Sequence, residues 1–156
     1  MRAEAFEIGV RPFSPVGLSM SKILVVEDSP EFGEMLATVL QAEGHTVMTA
    51  PDGLHAISKA EFWNPDLIIT DIHMPALNGL EMIRRLRLDT KFRNVPIIGL
   101  SAYPRRGLDL AIKAGASASL AKPVEIRLLI EHVTHLLAPE SVVVDGAESQ
   151  TESTGH

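Results

Sequence analysis

Cysteine is absent from this chain of 156 residues, and its absence excludes several kinds of chemistry. The chain can form no disulfide, offers no thiolate nucleophile and cannot hold a metal through cysteine sulfur. Long apolar runs are lacking too, because no stretch approaches the roughly 18 residues that span a bilayer. Residues 1–20 hold no long apolar segment of the kind found in secretory signals. We therefore expect no membrane insertion, and the composition is compatible with a reducing, cytoplasmic compartment.

An excess of positive charge is also lacking. The chain carries 14 basic and 20 acidic residues, which gives a formal net charge of −6 at neutral pH. This balance argues against direct, nonspecific binding of nucleic acid by the whole domain. The hydrophobic fraction of 46% and the length suit one globular domain with a proper core.

Composition divides the chain into three parts. Residues 1–20 hold several prolines and glycines without clear periodicity, so we expect a flexible N-terminal extension. We expect residues 21–138 to form the ordered domain. Residues 139–156 are rich in acidic, serine and threonine residues, which predicts a disordered acidic tail.

Strand and helix patterns alternate five times between these ends. Short apolar runs predict buried parallel strands, and each is followed by a segment with helical periodicity. The predicted strands cover residues 22–26, 45–50, 66–71, 95–100 and 117–121. This order predicts an α/β fold, a doubly wound (βα)5 parallel sheet of five strands with helices on both faces.

The helices carry start and stop signals. Ser29 suits an N-cap before Pro30, Gly44 suits a helix end, and Asp52 opens the second helix. Helical spacing predicts inward faces in the second, third and fourth helices: Leu54, Ile57 and Ala60; Leu80, Ile83 and Leu86; Leu108, Ala111 and Ile112. Arg84, Arg85 and Arg87 are predicted to take the solvated side of the third helix.

Carboxylates cluster where predicted strands end. Glu27 and Asp28 follow the first strand, and Asp71 ends the third. In a doubly wound sheet these strands are neighbours, so three acids would share one cleft and repel each other unless a cation neutralises them. Hard oxygen ligands with room for water suit Mg²⁺. The sequence therefore predicts a magnesium site at this edge of the sheet.

Two further polar residues end the fourth and fifth strands. Ser101 offers a hydroxyl and Lys122 offers a compact positive charge. Phosphoryl transfer to a carboxylate needs such a set, with Asp71 as the nucleophile and the cation, Lys122 and Ser101 offsetting charge on the phosphoryl oxygens.

These residues together resemble the receiver domain of two-component response regulators. The resemblance covers residues 22–138. It rests on four motifs in order: Val25-Val26-Glu27-Asp28-Ser29; Asp71-Ile72-His73-Met74-Pro75 followed by Asn78-Gly79; Ser101-Ala102; and Lys122-Pro123. It implies the strand order 2-1-3-4-5 seen in proteins of this fold.

The resemblance also implies roles for the site residues. Asp71 would be the phosphorylation site. Mg²⁺ would be held by Asp28, Asp71 and the backbone carbonyl of His73, with Glu27 acting directly or through water. Ser101 would bind a phosphoryl oxygen and move inward on activation, and Lys122, preceding a cis proline bond, would pair with the phosphoryl group.

Function and partners follow from the same resemblance. It implies a stand-alone, cytoplasmic signalling phosphoacceptor rather than a conventional enzyme. The phosphoryl donor would be a histidine kinase or histidine phosphotransfer protein. Output would pass to a downstream target protein or along a phosphorelay, from a monomer or weak dimer.

The chain departs from the family pattern at Ser119. The family usually has tyrosine or phenylalanine three residues before the lysine, and that ring flips on activation. Tyr103 is a candidate to replace it. His73 and Tyr103 occupy positions that tune phosphoryl lifetime in the family, and both are bulky, so we expect a long-lived phosphoryl group.

Other functions fit these residues less well. A receiver-like module that binds partners without phosphorylation is favoured only by Ser119. A phosphatase of the haloacid dehalogenase type would want a second aspartate where His73 stands. A flavodoxin-like protein would want a phosphate-binding loop where Glu27 and Asp28 would repel the flavin phosphate.

Overall fold

The computed structural model describes residues 21–74 and 76–139. The predicted flexible extension at residues 1–20 and nearly all of the predicted acidic tail lie outside these residues. Within the described ranges, no helix is both long enough and apolar enough to cross a membrane.

Five strands and five helices alternate along the described chain. They are β1 (Lys22–Val26), α1 (Pro30–Ala42), β2 (Thr46–Ala50), α2 (Gly53–Trp63), β3 (Leu67–Asp71), α3 (Gly79–Leu88), β4 (Ile97–Ser101), α4 (Arg106–Ala114), β5 (Ala118–Ala121) and α5 (Ile126–Leu137).

The strands form one parallel sheet in the order β2-β1-β3-β4-β5. The predicted fold class and the strand order 2-1-3-4-5 are therefore confirmed. The order places β1 and β3 side by side at the centre, where the chain reverses its direction of winding. Open α/β sheets bind ligands at the carboxyl ends of such strands.

Alternate residues of the strands point to opposite faces and feed two apolar layers. One layer packs α1 and α5 on the sheet, with large aliphatic side chains such as Leu36, Leu40, Leu129 and Val133. The other packs α2, α3 and α4, and many of its helical contacts are small residues: Ala56, Ala60, Ala111 and Ala114.

The predicted helix signals act locally as expected. The Ser29 side chain accepts a hydrogen bond from the Phe32 amide, and Asp52 does the same for His55. Both caps satisfy amides that a helix leaves without partners. Gly44 has a φ of 99°, so the first helix ends on a residue in the left-handed region, as its glycine predicted.

Two predicted inward positions are wrong. Leu54 is 53% exposed and Ile112 is 47% exposed. In their place both helices bury only glycine and alanine. The buried residues are Gly53, Ala56 and Ala60 in α2, and Gly107, Ala111 and Ala114 in α4. The inner faces were hard to recognise because they consist of small residues, which allow close helix-to-sheet contact.

Arg87 also departs from its prediction. Its guanidinium is half-buried and donates to the carbonyls of Gly115, Phe92 and Arg93, at 2.8, 2.9 and 3.2 Å. Burial lowers the pKa of this group from its ordinary value. Arg87 therefore joins α3 to the end of α4 and to the loop before β4, at the edge opposite the acidic residues.

Candidate functional site

The acidic residues predicted to meet do lie together. Glu27 follows β1 and Asp71 ends β3, and these neighbouring strands place both carboxylates at one edge of the sheet. Glu27 is 7% exposed and Asp71 is 5% exposed, whereas Asp28 is exposed. One oxygen from each of the three carboxylates lies within 4.8 Å of the other two.

Lys122 completes this group from the end of β5. Its Nζ donates to Asp71 Oδ2 at 3.1 Å and to Glu27 Oε1 at 3.3 Å. Its backbone amide donates to the Ser101 carbonyl at 2.8 Å, and the Lys122–Pro123 bond is cis, as the family resemblance implied. The ammonium also lies 4.9 Å from the centre of the Phe32 ring, a contact that sequence analysis missed although Phe32 follows the acidic pair closely.

Burial and charge oppose each other in this group. Burial raises the pKa of Glu27, while the Lys122 charge and a hydrogen bond from the Ser29 amide act to lower it. Burial acts to lower the pKa of Lys122, but Asp71 and Glu27 outweigh it and raise that pKa above its usual value. Lys122 therefore carries its positive charge throughout the neutral range.

The donor set fits a hard divalent cation. Three carboxylates converge, only one of them is exposed, and a single ammonium does not balance their charge. Carboxylate oxygens with access to water are the ligands that Mg²⁺ prefers. The residues present therefore fit a magnesium ion bound by Glu27, Asp28 and Asp71.

The loop after β3 is tied to the acceptor strand. The His73 amide donates to Asp71 Oδ1 at 3.1 Å, and the Gly79 amide donates to the Ile72 carbonyl at 3.3 Å. The His73 ring is exposed and meets the Tyr103 ring edge to face, with centroids 4.8 Å apart and planes at 84°. The two bulky side chains predicted from sequence thus contact each other, on the loops that follow β3 and β4. The ligand role of the His73 carbonyl stays a prediction.

Ser101 lies at the same edge, but its hydroxyl is engaged elsewhere. The residue is 0% exposed. Its Oγ accepts from the Tyr103 amide at 2.9 Å and donates to the Tyr103 carbonyl at 3.2 Å. Among the described residues this hydroxyl has no hydrogen bond with Asp71 or Lys122. Ser101 therefore lies at the site, but its hydroxyl bonds to the Tyr103 backbone instead of the acceptor.

Ser119, which stands where the family usually has an aromatic ring, makes a hydrogen bond to α4. Its Oγ donates to the Leu108 carbonyl in α4 at 3.0 Å. The serine therefore joins β5 to the first turn of α4. Tyr103, proposed from sequence as a substitute ring, is 59% exposed and contacts His73 instead.

Comparison with known proteins gives a consistent result. The response regulator receiver domain family matches residues 23–134. The chain is 39% identical over 122 residues to a transcriptional regulatory protein CpxR homolog of Haemophilus influenzae, covering 76% of this chain and 51% of that protein. It is 29% identical over 116 residues to the polar-differentiation response regulator DivK of Brucella ovis, covering 74% of this chain and 94% of that protein.

A solved structure is also similar. The response regulator TrrA of Thermotoga maritima, in complex with Mg²⁺ and BeF, superposes with a TM-score of 0.68 at 38% identity, covering 75% of this chain and 99% of that one. Across the first curated relatives the chain spans between 7% and 94% of their length. The family match, the identities and the shared sheet agree: this chain belongs to the response regulator receiver domain family.

Proposed function

We propose that Asp71 accepts a phosphoryl group from a phosphohistidine on a histidine kinase or a histidine phosphotransfer protein. The observation that carries this proposal is the pairing of Asp71 with Lys122 inside a group of three converging carboxylates. A buried nucleophile, a fixed positive charge and a place for a cation are the parts that phosphoryl transfer requires.

The reaction needs one bond to form and one to break. A carboxylate oxygen of Asp71 attacks phosphorus, and the bond from phosphorus to the donor imidazole nitrogen breaks. The imidazole leaves with the electron pair, and a proton already on its other ring nitrogen, or one taken from water, makes the product neutral imidazole. Lys122 stays charged and pairs with a phosphoryl oxygen, which replaces part of its present contact with Asp71 Oδ2.

Glu27, Asp28 and Asp71 would hold Mg²⁺, together with the backbone carbonyl of His73. When bound, the ion offsets the negative charge that an incoming phosphoryl group would otherwise meet. Without it, two buried carboxylates and one exposed carboxylate face an anionic donor, and within the described ranges Lys122 is the cation paired with them.

The output follows from a change of contacts near α4. In this proposal the acyl phosphate on Asp71 shifts the population between two conformations of this cytoplasmic domain, and so changes its affinity for a target protein. Passing the phosphoryl group to another histidine is the alternative output.

A second candidate function is a receiver-like module that binds its target without phosphorylation. The one observation that favours it is Ser119, which stands where the family has a ring and is held by the Leu108 carbonyl. Target binding measured for the wild type and for Asp71→Asn, with and without phosphodonor, separates the two functions. Equal target affinity in all four measurements supports the module that binds without phosphorylation.

Intact mass after incubation with acetyl phosphate tests the main proposal. We expect one added phosphoryl group that requires Mg²⁺ and is lost in Asp71→Asn. Asp28→Asn is a useful companion, because it should weaken the dependence on Mg²⁺ while leaving the nucleophile. Beryllofluoride binding serves as a second probe, and a protein that binds neither Mg²⁺ nor beryllofluoride and gains no mass contradicts the proposal.

A further inference from the structure

The hydroxyl of Ser101 rests in a small space beneath α4. The side chain is fully buried, and both of its hydrogen bonds are with the backbone of Tyr103. The Tyr103 carbonyl also accepts from the Gly107 amide at 2.9 Å. The turn at residues 101–107 therefore closes around the hydroxyl and binds it to the start of the helix.

Gly107 provides the space that the hydroxyl occupies. A Cβ atom at this position would overlap Ser101 Oγ, would lie 2.7 Å from Ser101 Cβ and would lie 3.4 Å from Ile72 Cδ1. Real Cβ atoms do not approach other atoms as closely as the first two distances require. Every residue other than glycine at position 107 must therefore displace the hydroxyl, the helix or both.

The backbone of Ser101 has little freedom to respond. It ends β4, whose Leu100 pairs with Asp71, and its carbonyl accepts from the Lys122 amide at 2.8 Å. Rotation about χ1 relieves the overlap with Oγ, since a serine hydroxyl has three staggered positions, and the 2.7 Å approach to Ser101 Cβ also requires a small shift of the first turn of α4. Leaving the present position takes the hydroxyl away from α4.

We propose that Gly107 is a positioning residue for the phosphoryl switch: it keeps open the resting place of the Ser101 hydroxyl, away from Asp71. The inference rests on the proposed function. In the resting protein the hydroxyl stays with the Tyr103 backbone. A phosphoryl oxygen on Asp71 offers a charge-assisted hydrogen bond, which is roughly twice as strong as each of the two neutral ones it replaces. Gly107 allows both positions and so permits a switch.

Ser119 extends this coupling to the helix. Its bond to the Leu108 carbonyl reaches the residue directly after Gly107. The first turn of α4 therefore touches one serine from β4 and one from β5. Departure of the Ser101 hydroxyl frees space at Gly107, so the first turn of α4 can move toward the sheet. This movement alters the exposed surface of α4 without the aromatic ring that the family usually has at the position of Ser119.

Beryllofluoride binding in the presence of Mg²⁺ tests the inference with Gly107→Ala. Because the added methyl group removes the resting position, we expect tighter binding by about fivefold or more, as is usual when one of two states is disfavoured. Gly33→Ala is the matched control, since its Cβ would meet Glu27 Cβ at 3.7 Å and Glu27 Cγ at 3.9 Å, which are ordinary contacts. In a Ser101→Ala background, Gly107→Ala should no longer tighten binding, so the two changes should be non-additive.

Unchanged or weaker binding by a folded Gly107→Ala protein overturns the inference. The Ser101 χ1 angle, measured by NMR couplings in the wild type with and without beryllofluoride, provides a test that needs no variant. We expect the hydroxyl to leave the Tyr103 amide in the complex, and a hydroxyl that stays there in the complex also overturns the inference. In Gly107→Ala without any ligand the hydroxyl should already have left. This last result is independent of Asp71 chemistry, so it separates failure of the Gly107 inference from failure of the proposed phosphorylation.

Discussion

The two faces of the sheet are packed in different ways. The face covered by α1 and α5 is filled by large side chains, and its glycine in α1, Gly33, has room for a methyl group. On the face covered by α2, α3 and α4, added Cβ atoms at Gly53, Gly79 and Gly107 would meet backbone or Ser101 within 2.7 Å or less. Both faces bury large side chains, but only the second also presses helix glycines closely against the loops of the site.

From this difference we expect that stability and the proposed switch depend mainly on different layers. Large aliphatic side chains contribute burial that does not depend on the site loops. Close glycine contacts transmit small displacements, because packed interfaces rearrange rather than compress. Substitutions on the two faces should therefore have different consequences.

The largest expected effect is on the face with bulky packing. Leu40→Ala removes a fully buried side chain beneath α1 and should lower the free energy of unfolding by about 2–5 kcal/mol. Urea denaturation measures this loss. Mg²⁺ affinity of the folded variant should remain that of the wild type, and a marked change in affinity would argue that this face also shapes the site.

Gly79→Ala should have a smaller effect on stability and a larger one on the site. Its Cβ would overlap the Asp71 carbonyl and lie 2.7 Å from Ile72 Cα, so the acceptor backbone must move. Overpacking of this kind costs about 1–3 kcal/mol, and we expect weaker Mg²⁺ binding by calorimetry.

Gly33→Ala is the opposite case on the other face. Replacing a glycine within a helix where space exists should stabilise the protein by about 0.5–1 kcal/mol and leave Mg²⁺ affinity unchanged. If the two glycine variants gave the same result in both measurements, the distinction between the faces would be lost.

The lifetime of the phosphoryl group should depend on the His73 and Tyr103 rings. An edge-to-face pair is stabilised by about 0.5–1.5 kcal/mol, so Tyr103→Ala should speed phosphoryl loss by about twofold to tenfold through easier access of water. Loss of added mass with time after removal of the donor measures this rate. Tyr103→Phe keeps the ring and should keep the lifetime, whereas an equal loss in both variants would point to the phenol oxygen.

The smallest expected effect is a pH dependence at His45, where α1 passes to β2. Burial lowers the pKa of His45 below its ordinary 6.5, although Glu43 acts to raise it, and its buried Nδ1 has no hydrogen-bond partner within the described chain. The unfolded chain then binds a proton more readily than the folded one. Stability contributed by the neutral ring is full above pH 6.5 and falls as pH drops below 6.5 toward the folded pKa.

This fall should be less than about 1.4 kcal/mol per pH unit, the limit for one proton. Urea denaturation of the wild type and His45→Asn between pH 5 and 7.5 isolates the contribution of this ring from the other histidines. A stability difference that does not change with pH would contradict the assignment.

The site was predictable from sequence to the extent that it depends on strand ends. Glu27, Asp71 and Lys122 end or follow strands, and the carboxyl ends of parallel strands meet at one edge whatever the details of packing. The Ser101 hydroxyl was not predictable in the same way. Its position depends on a side-chain torsion and on space left by Gly107, six residues further along.

The inner faces of α2 and α4 were missed for a related reason. Leu54 and Ile112 are the more hydrophobic residues, but Ala56 and Ala114 are the ones that reach the sheet. Hydrophobic periodicity weights side chains by size, whereas close packing selects the small ones. The helix caps were predicted well because they depend only on residues three positions apart.

The position of Arg87 has a mechanical consequence. Its guanidinium holds the carbonyl of Gly115, directly after α4, while the first turn of α4 is joined to the sheet through Ser101 and Ser119. In the proposed switch the last turn, held by Arg87, would stay in place, and the first turn, whose contact with Ser101 changes, would move. Over nine residues, roughly 13 Å of helix, a shift of about 1 Å at the first turn is a tilt of only about 4–5°. Such a rotation would leave the Arg87 end of the helix in place and would move the first turn, which lies against Ser101.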